Sequence, residues 1–236
     1  MRIWSGTSGF SYKEWKGSFY PEDLPQTGML EFYSRQLNSV EINNTFYRLP
    51  KTSLLEKWGA TVPDDFRFVL KASQRITHRK RLKEAEEPLE YLVETATAAL
   101  GSRLGPILFQ LPPYFRKNVD RLRSFLEAVP DSVQAAFEFR HESWFEEDTY
   151  EALKEGGAAL VTADTGEEEA PVVATTNFGY ARLRRPGYTD KELESWAKSF
   201  QDQGWEDVHV YFKHEDEGAG PALAGRFNEI WAGNSG

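Results

Sequence analysis

Eight short runs rich in β-branched and aromatic residues recur along this chain, and the stretches between them mostly carry the longer apolar period of amphipathic helices. The runs are Ile3–Ser8, Ser39–Ile42, Phe66–Lys71, Pro106–Leu111, Ala135–Phe139, Ala158–Thr162, Tyr180–Arg184 and Val208–Phe212. Helices are predicted at Gly28–Gln36, Ser53–Thr61, Glu90–Leu100, Asn118–Ala128, Asp148–Glu155, Lys191–Asp202 and Pro221–Trp231. Strict alternation of this kind specifies parallel βα units. Eight of them suit a closed TIM-type (β/α)8 barrel of the α/β class better than an open doubly wound sheet. The run ending at Thr162 is followed by an acidic, Pro-containing segment, Asp164 to Thr176, without a clear helix, so an outer helix is expected to be missing after strand 6. No repeat, low-complexity tract or composition shift marks a boundary, and residues 1–236 read as a single barrel domain.

Composition narrows the classes of function. Apolar residues make up 40% of the chain and aromatics 14%, enough to build one large core without disulfides. The absence of cysteine excludes thiolate zinc sites, iron–sulfur clusters and cysteine nucleophiles. Met1-Arg2-Ile3-Trp4 does not open a signal peptide, and no window approaches the roughly 18 apolar residues of a membrane helix. A soluble, cytoplasmic protein without membrane contact is the expectation. A net charge of −9 opposes nonspecific binding to nucleic acid, and a small anionic molecule is the expected partner only through local basic residues such as His78, Arg182 and Arg184. The basic stretch Arg75–Lys83 is followed at once by Glu84, Glu86 and Glu87 and reads chiefly as a solvated face.

In a barrel of this type the polar residues at the strand carboxyl ends converge on one face. Here these include Ser8, Tyr12, Glu41, Asn43, Tyr47, Lys71, His78, Gln110, Glu138, Arg140, Trp144, Asp164, Arg182 and Arg184. Several of them fall in blocks that resemble the YecE-like family (domain of unknown function 72): Gly6-Thr7-Ser8-Gly9-Phe10-Ser11-Tyr12, Val40-Glu41-Ile42-Asn43-Asn44-Thr45-Phe46-Tyr47, Phe68-Val69-Leu70-Lys71-Ala72, Gly105-Pro106-Ile107-Leu108-Phe109-Gln110-Leu111-Pro112-Pro113 and Phe137-Glu138-Phe139-Arg140-His141. The resemblance spans nearly the whole chain. It implies a TIM-type barrel and supplies no reaction.

The residues themselves suggest acid–base chemistry on a small anionic, polyhydroxylated compound such as a phosphorylated sugar or nucleotide fragment. In that reading Glu138 is the general base, Lys71 stabilises developing negative charge, and Glu41 orients or acts as the acid. Arg140, Arg182 and His78 clamp the anion, while Tyr12, Asn43, Tyr47, Gln110, Trp144 and Asp164 line the substrate. The structural alternative is a salt-bridge network in which Lys71 joins Glu41 to Glu138. Arg182 and Arg184 alternate on strand 7, so both should point to one side and demand anionic partners. Two further alternatives are metal-dependent hydrolysis of a phosphoester or nucleic acid, with donors from Glu41, Glu138, Asp164, His141 and His214, and small-anion binding without turnover. No metal motif is present, no metal ligand is assigned, and no cofactor is specified by the sequence.

Overall fold

The computed structural model describes residues 1–166, 169–185, 187–213 and 218–234. Eight strands form a closed barrel in sequence order: β1 (Arg2–Ser8), β2 (Ser39–Ile42), β3 (Arg67–Lys71), β4 (Leu104–Gln110), β5 (Ala135–Glu138), β6 (Ala159–Asp164), β7 (Phe178–Leu183) and β8 (Asp207–Phe212). All pairings are parallel, and β8 closes on β1 through the register Arg2↔Asp207 to Thr7↔Phe212. Each predicted strand is present within a few residues of its expected limits.

Seven α-helices are found among the described residues: α1 (Met29–Ser34), α2 (Thr52–Thr61), α3 (Glu86–Leu100), α4 (Val119–Glu127), α5 (Glu147–Glu155), α6 (Asp190–Gln201) and α7 (Ala219–Asn234). Helix α3 begins four residues before the predicted Glu90, because Glu86, Glu87 and Pro88 make a favourable first turn in which proline loses no hydrogen bond. Helix α6 is fixed by a capping box, Thr189 and Glu192 each bonding the other's backbone. No α-helix lies between β6 and β7 among the described residues, as the sequence suggests. Instead Thr162 Oγ1 donates to the Pro171 carbonyl, and Thr175 Oγ1 accepts from Leu160 N and donates to the Ala158 carbonyl at 2.7 Å. A strap of extended chain thus occupies the place of the helix and satisfies its own polar groups against β6.

Alternation along the strands separates two cores. Outward residues such as Leu70, Phe109, Phe137 and Val210 pack against the helices. Inward residues Val69, Leu108, Ala136, Ala159, Val161, Phe178, Tyr180 and Tyr211 fill the barrel as a separate cluster. At the amino-terminal end the Trp4 ring stacks on buried His209 and lies under the Arg67 and Arg2 guanidinium groups, 4.4 and 5.0 Å from its centroid. Burial pushes the His209 imidazole down to about 3, so this floor holds a neutral histidine. At the opposite end the same alternation turns Ser8, Glu41, Lys71, Gln110, Glu138 and Arg182 towards one another.

Candidate functional site

Arg182 is the centre of that cluster. Its side chain is 2% exposed, and it bridges Glu41 Oε1 at 2.8 Å and Glu138 Oε2, carboxylates that are 0% and 1% exposed. Three strands, β2, β5 and β7, therefore meet through one guanidinium group. Glu41 Oε1 also accepts from Ser8 Oγ at 2.7 Å and Asn43 Nδ2 at 2.9 Å, and its Oε2 accepts from the Tyr180 hydroxyl at 2.6 Å. Glu138 Oε1 accepts from Gln110 Nε2 at 2.8 Å and Arg140 Nε at 3.0 Å, with Arg184 at 3.6 Å.

These contacts set the charge states. Burial alone would push both carboxyl groups up, but Arg182 and the surrounding donors outweigh it and hold them ionised below the usual carboxylate range. Burial also disfavours the charge on Arg182, yet the paired Glu138 and Glu41 raise its affinity for the proton. The sequence alternative that gave the bridge to Lys71 is corrected: Arg182 takes that place. Planar, two-pronged geometry suits a guanidinium between two carboxylates better than an ammonium point charge.

Lys71 instead donates to Gln110 Oε1 at 2.8 Å and sits 4.4 Å from the centroid of the Phe46 ring. Gln110 accepts from Lys71 and donates to Glu138, so it links the lysine to the buried carboxylate. Burial, followed by the nearby Arg182, pulls the Lys71 ammonium down to about 8 despite Glu138 and Glu41. His78 meets the edge of Phe46 with centroids 4.8 Å apart, and burial and Lys71 push its proton affinity down. Tyr47 packs edge-on to Phe46 and is 74% exposed at the rim.

Two predicted substrate contacts lie elsewhere. Trp144 is fully buried outside the barrel wall, stacked on Phe139 with centroids 4.5 Å apart, its Nε1 donating to the Phe115 carbonyl at 2.7 Å. Packing leaves none of its surface to a ligand. Asp164 points away from the barrel axis, since it alternates with Ala163, and accepts from Tyr188 OH and Gly166 N, both at 2.9 Å. Tyr12 stands at the mouth's edge and donates to the Ser8 carbonyl at 2.7 Å. Arg75, from the basic stretch, pairs with Glu87, as a solvated face should.

Tyr180 completes the cluster beyond the predicted set. It shares the inward face of β7 with Arg182, so the spacing of two was the available signal. Arg184, just past the end of β7, faces the same side as its alternation with Arg182 predicts. Arg184 Nε and Nη1 and Arg182 Nε are buried without hydrogen-bond partners among the described residues. His214 lies outside the described residues. Among those described, no group of three or more His, Asp or Glu side chains could hold a metal ion, and no helix is long and apolar enough to cross a membrane.

A closed parallel barrel with a recessed ionic cluster at the carboxyl ends of its strands defines an α/β-barrel protein, and the cluster lies on the face where such barrels carry their sites. The sequence matches the family model "Protein of unknown function DUF72" over residues 4–235, and the chain belongs to that family. The UPF0759 protein YunF of Bacillus subtilis is 27% identical over 230 residues, covering 91% of this chain and 79% of YunF. The UPF0759 protein YecE of Escherichia coli K12 is 35% identical over 118 residues, 49% of this chain and 43% of YecE. A crystal structure of a DUF72 family protein from Thermotoga maritima superposes with a TM-score of 0.85 at 27% identity, covering 98% of this chain and 100% of that one.

Proposed function

We propose that the protein is a barrel enzyme that binds a small anionic, polyhydroxylated compound, such as a phosphorylated sugar or nucleotide fragment, and moves a proton on it through Lys71. One observation carries this reading. Among the described residues, four cationic side chains, Arg140, Arg182, Arg184 and Lys71, gather around two carboxylates, Glu41 and Glu138, with Lys71 reaching Glu138 through Gln110. With Lys71 protonated that is a surplus of two positive charges in a recess where solvent screening is weak, and an anion relieves it. Arg184, whose buried Nε and Nη1 make no hydrogen bond among the described residues, and half-buried Arg140 are the anion's ligands in this reading.

The roles within the cluster follow from its hydrogen bonds. Glu41 and Glu138 have their oxygens occupied by cationic and neutral donors and are held ionised, so they orient Arg182 and set the local field rather than exchange protons. Lys71, pulled down to about 8, lies near enough to neutrality to give and take a proton at working pH. Asn43 and the rim residue Tyr47 supply polar groups for hydroxyls.

The test has two readouts. Titration calorimetry with inorganic phosphate and then sugar phosphates should show binding that Arg184→Met and Arg140→Met each weaken at least tenfold. Exchange of a ligand C–H proton with D2O, followed by NMR, should proceed in the native protein and stop in Lys71→Met. Undiminished phosphate binding in the double arginine variant would sink the proposal. Arginine-dependent binding without deuterium incorporation would leave a small-anion-binding barrel.

A further inference from the structure

Beside the ionic cluster, between the loops that follow β1 and β2 and the outer face of α2, lies a cavity of about 410 Å3. Its volume falls in the range of small-molecule sites. Gly9, Phe10, Tyr12, Asn43 and Asn44 line it on the barrel side, and Leu54, Lys57 and Trp58 on the helix side. Phe10 meets Trp58 edge-to-face with centroids 5.9 Å apart, and both rings are only partly buried. Leu54 is 41% exposed at the rim. Aromatic edges and faces left accessible to solvent in a concave site favour a planar apolar occupant.

The cavity and the ionic cluster are neighbours that share a wall. Asn43 lines the cavity while its Nδ2 holds Glu41. Tyr12 lines it too, and its hydroxyl is anchored on the carbonyl of Ser8, whose own hydroxyl donates to Glu41. Resting on the anion-binding reading above, we infer that this cavity is the second half of the same site and takes an aromatic ring carried by the anionic substrate. The substrate class is then an aryl or heteroaryl anion, its charged group at Arg140 and Arg184 and its ring between Phe10, Tyr12 and Trp58.

Three probes separate the two halves: inorganic phosphate, neutral indole, and naphthyl phosphate, which carries both groups. Binding is followed through the side-chain NMR signals of Trp58 and Arg184, each assigned by substitution. Indole should shift Trp58 and leave Arg184, phosphate should do the reverse, and naphthyl phosphate should shift both and bind at least tenfold tighter than phosphate. Thr27→Trp, which places a large ring in the cavity from its exposed lining, should abolish that gain while leaving phosphate affinity unchanged. Trp58→Leu serves as an independent second variant with the same expected loss. If naphthyl phosphate gains nothing over phosphate, or indole leaves Trp58 unmoved, the ring site is overturned and the anion reading stands. If phosphate fails to move Arg184, the anion reading falls, and this inference falls with it.

Discussion

Arg182 shows what a single buried charge can be asked to do. Removing it leaves Glu41 and Glu138 facing each other without their counter-ion, a loss of about 3–5 kcal/mol by analogy with other broken buried pairs. Arg182→Met should therefore show that deficit in urea unfolding at pH 7. The deficit should narrow as pH falls towards about 5, because carboxyl groups without a guanidinium partner take up protons when buried. In the native protein both carboxyls are held below their unfolded values, so their contribution persists above the ordinary carboxylate range and is lost only in stronger acid.

Lys71 behaves in the opposite sense. Its proton affinity in the fold is about 8 against an ordinary 10.5, so between those values the unfolded chain binds more protons and stability should rise with pH. Below about pH 8 the cost of the buried charge is fully present. Lys71→Met should flatten that part of the stability profile. Anion affinity should run the other way, falling as pH rises through about 8 and the lysine loses its charge.

At the scale of elements, the strap after β6 and the loop after β3 carry testable consequences. Thr175 is buried and satisfies two backbone groups at the start of β6 and just before it, so Thr175→Val should cost about 1–3 kcal/mol by leaving Leu160 N and the Ala158 carbonyl without it. Hydrogen exchange should show the loss locally, at Leu160. In the loop after β3, Arg81, Leu82 and Glu84 all adopt left-handed backbone, with φ of 50°, 67° and 50°. Arg81 is exposed, and Arg81→Gly should raise the melting temperature by a few degrees, because relief of left-handed strain outweighs glycine's entropy cost.

The elements were legible in the sequence because period and composition agreed at each strand, from Ile3–Ser8 to Val208–Phe212. The missing helix was legible for the same reason, since Asp164 to Thr176 carries no helical period. The site was legible only to the extent that alternation held. It placed Glu41, Lys71, Glu138 and Arg182 on one face, but Asp164 falls one residue out of phase with Ala163, and so on the other side of the wall. Trp144 was misplaced because a loop aromatic near a strand end looks the same in sequence whether it faces ligand or core. Which cation bridges the two carboxylates depends on side-chain reach across the barrel, and strand patterns do not encode that.

At the scale of the molecule, the barrel has an aromatic floor at Trp4 and His209 and an ionic crown around Arg182, with a buried, mostly apolar layer between them. The crown's cations are recessed within a chain of net charge −9. An anion approaching from bulk water is therefore repelled at long range and attracted only over the last few ångströms. Salt screens the first interaction far more than the second, since the Debye length is about 10 Å at 0.1 M and buried charges are shielded less. Raising ionic strength should thus speed association of a small anion while leaving its dissociation nearly unchanged, which stopped-flow measurements at two salt concentrations would separate. On the proposed anion-binding reading, an acidic exterior over a cationic recess acts as a kinetic filter: it slows the arrival of every anion and retains for long only those that reach the arginines.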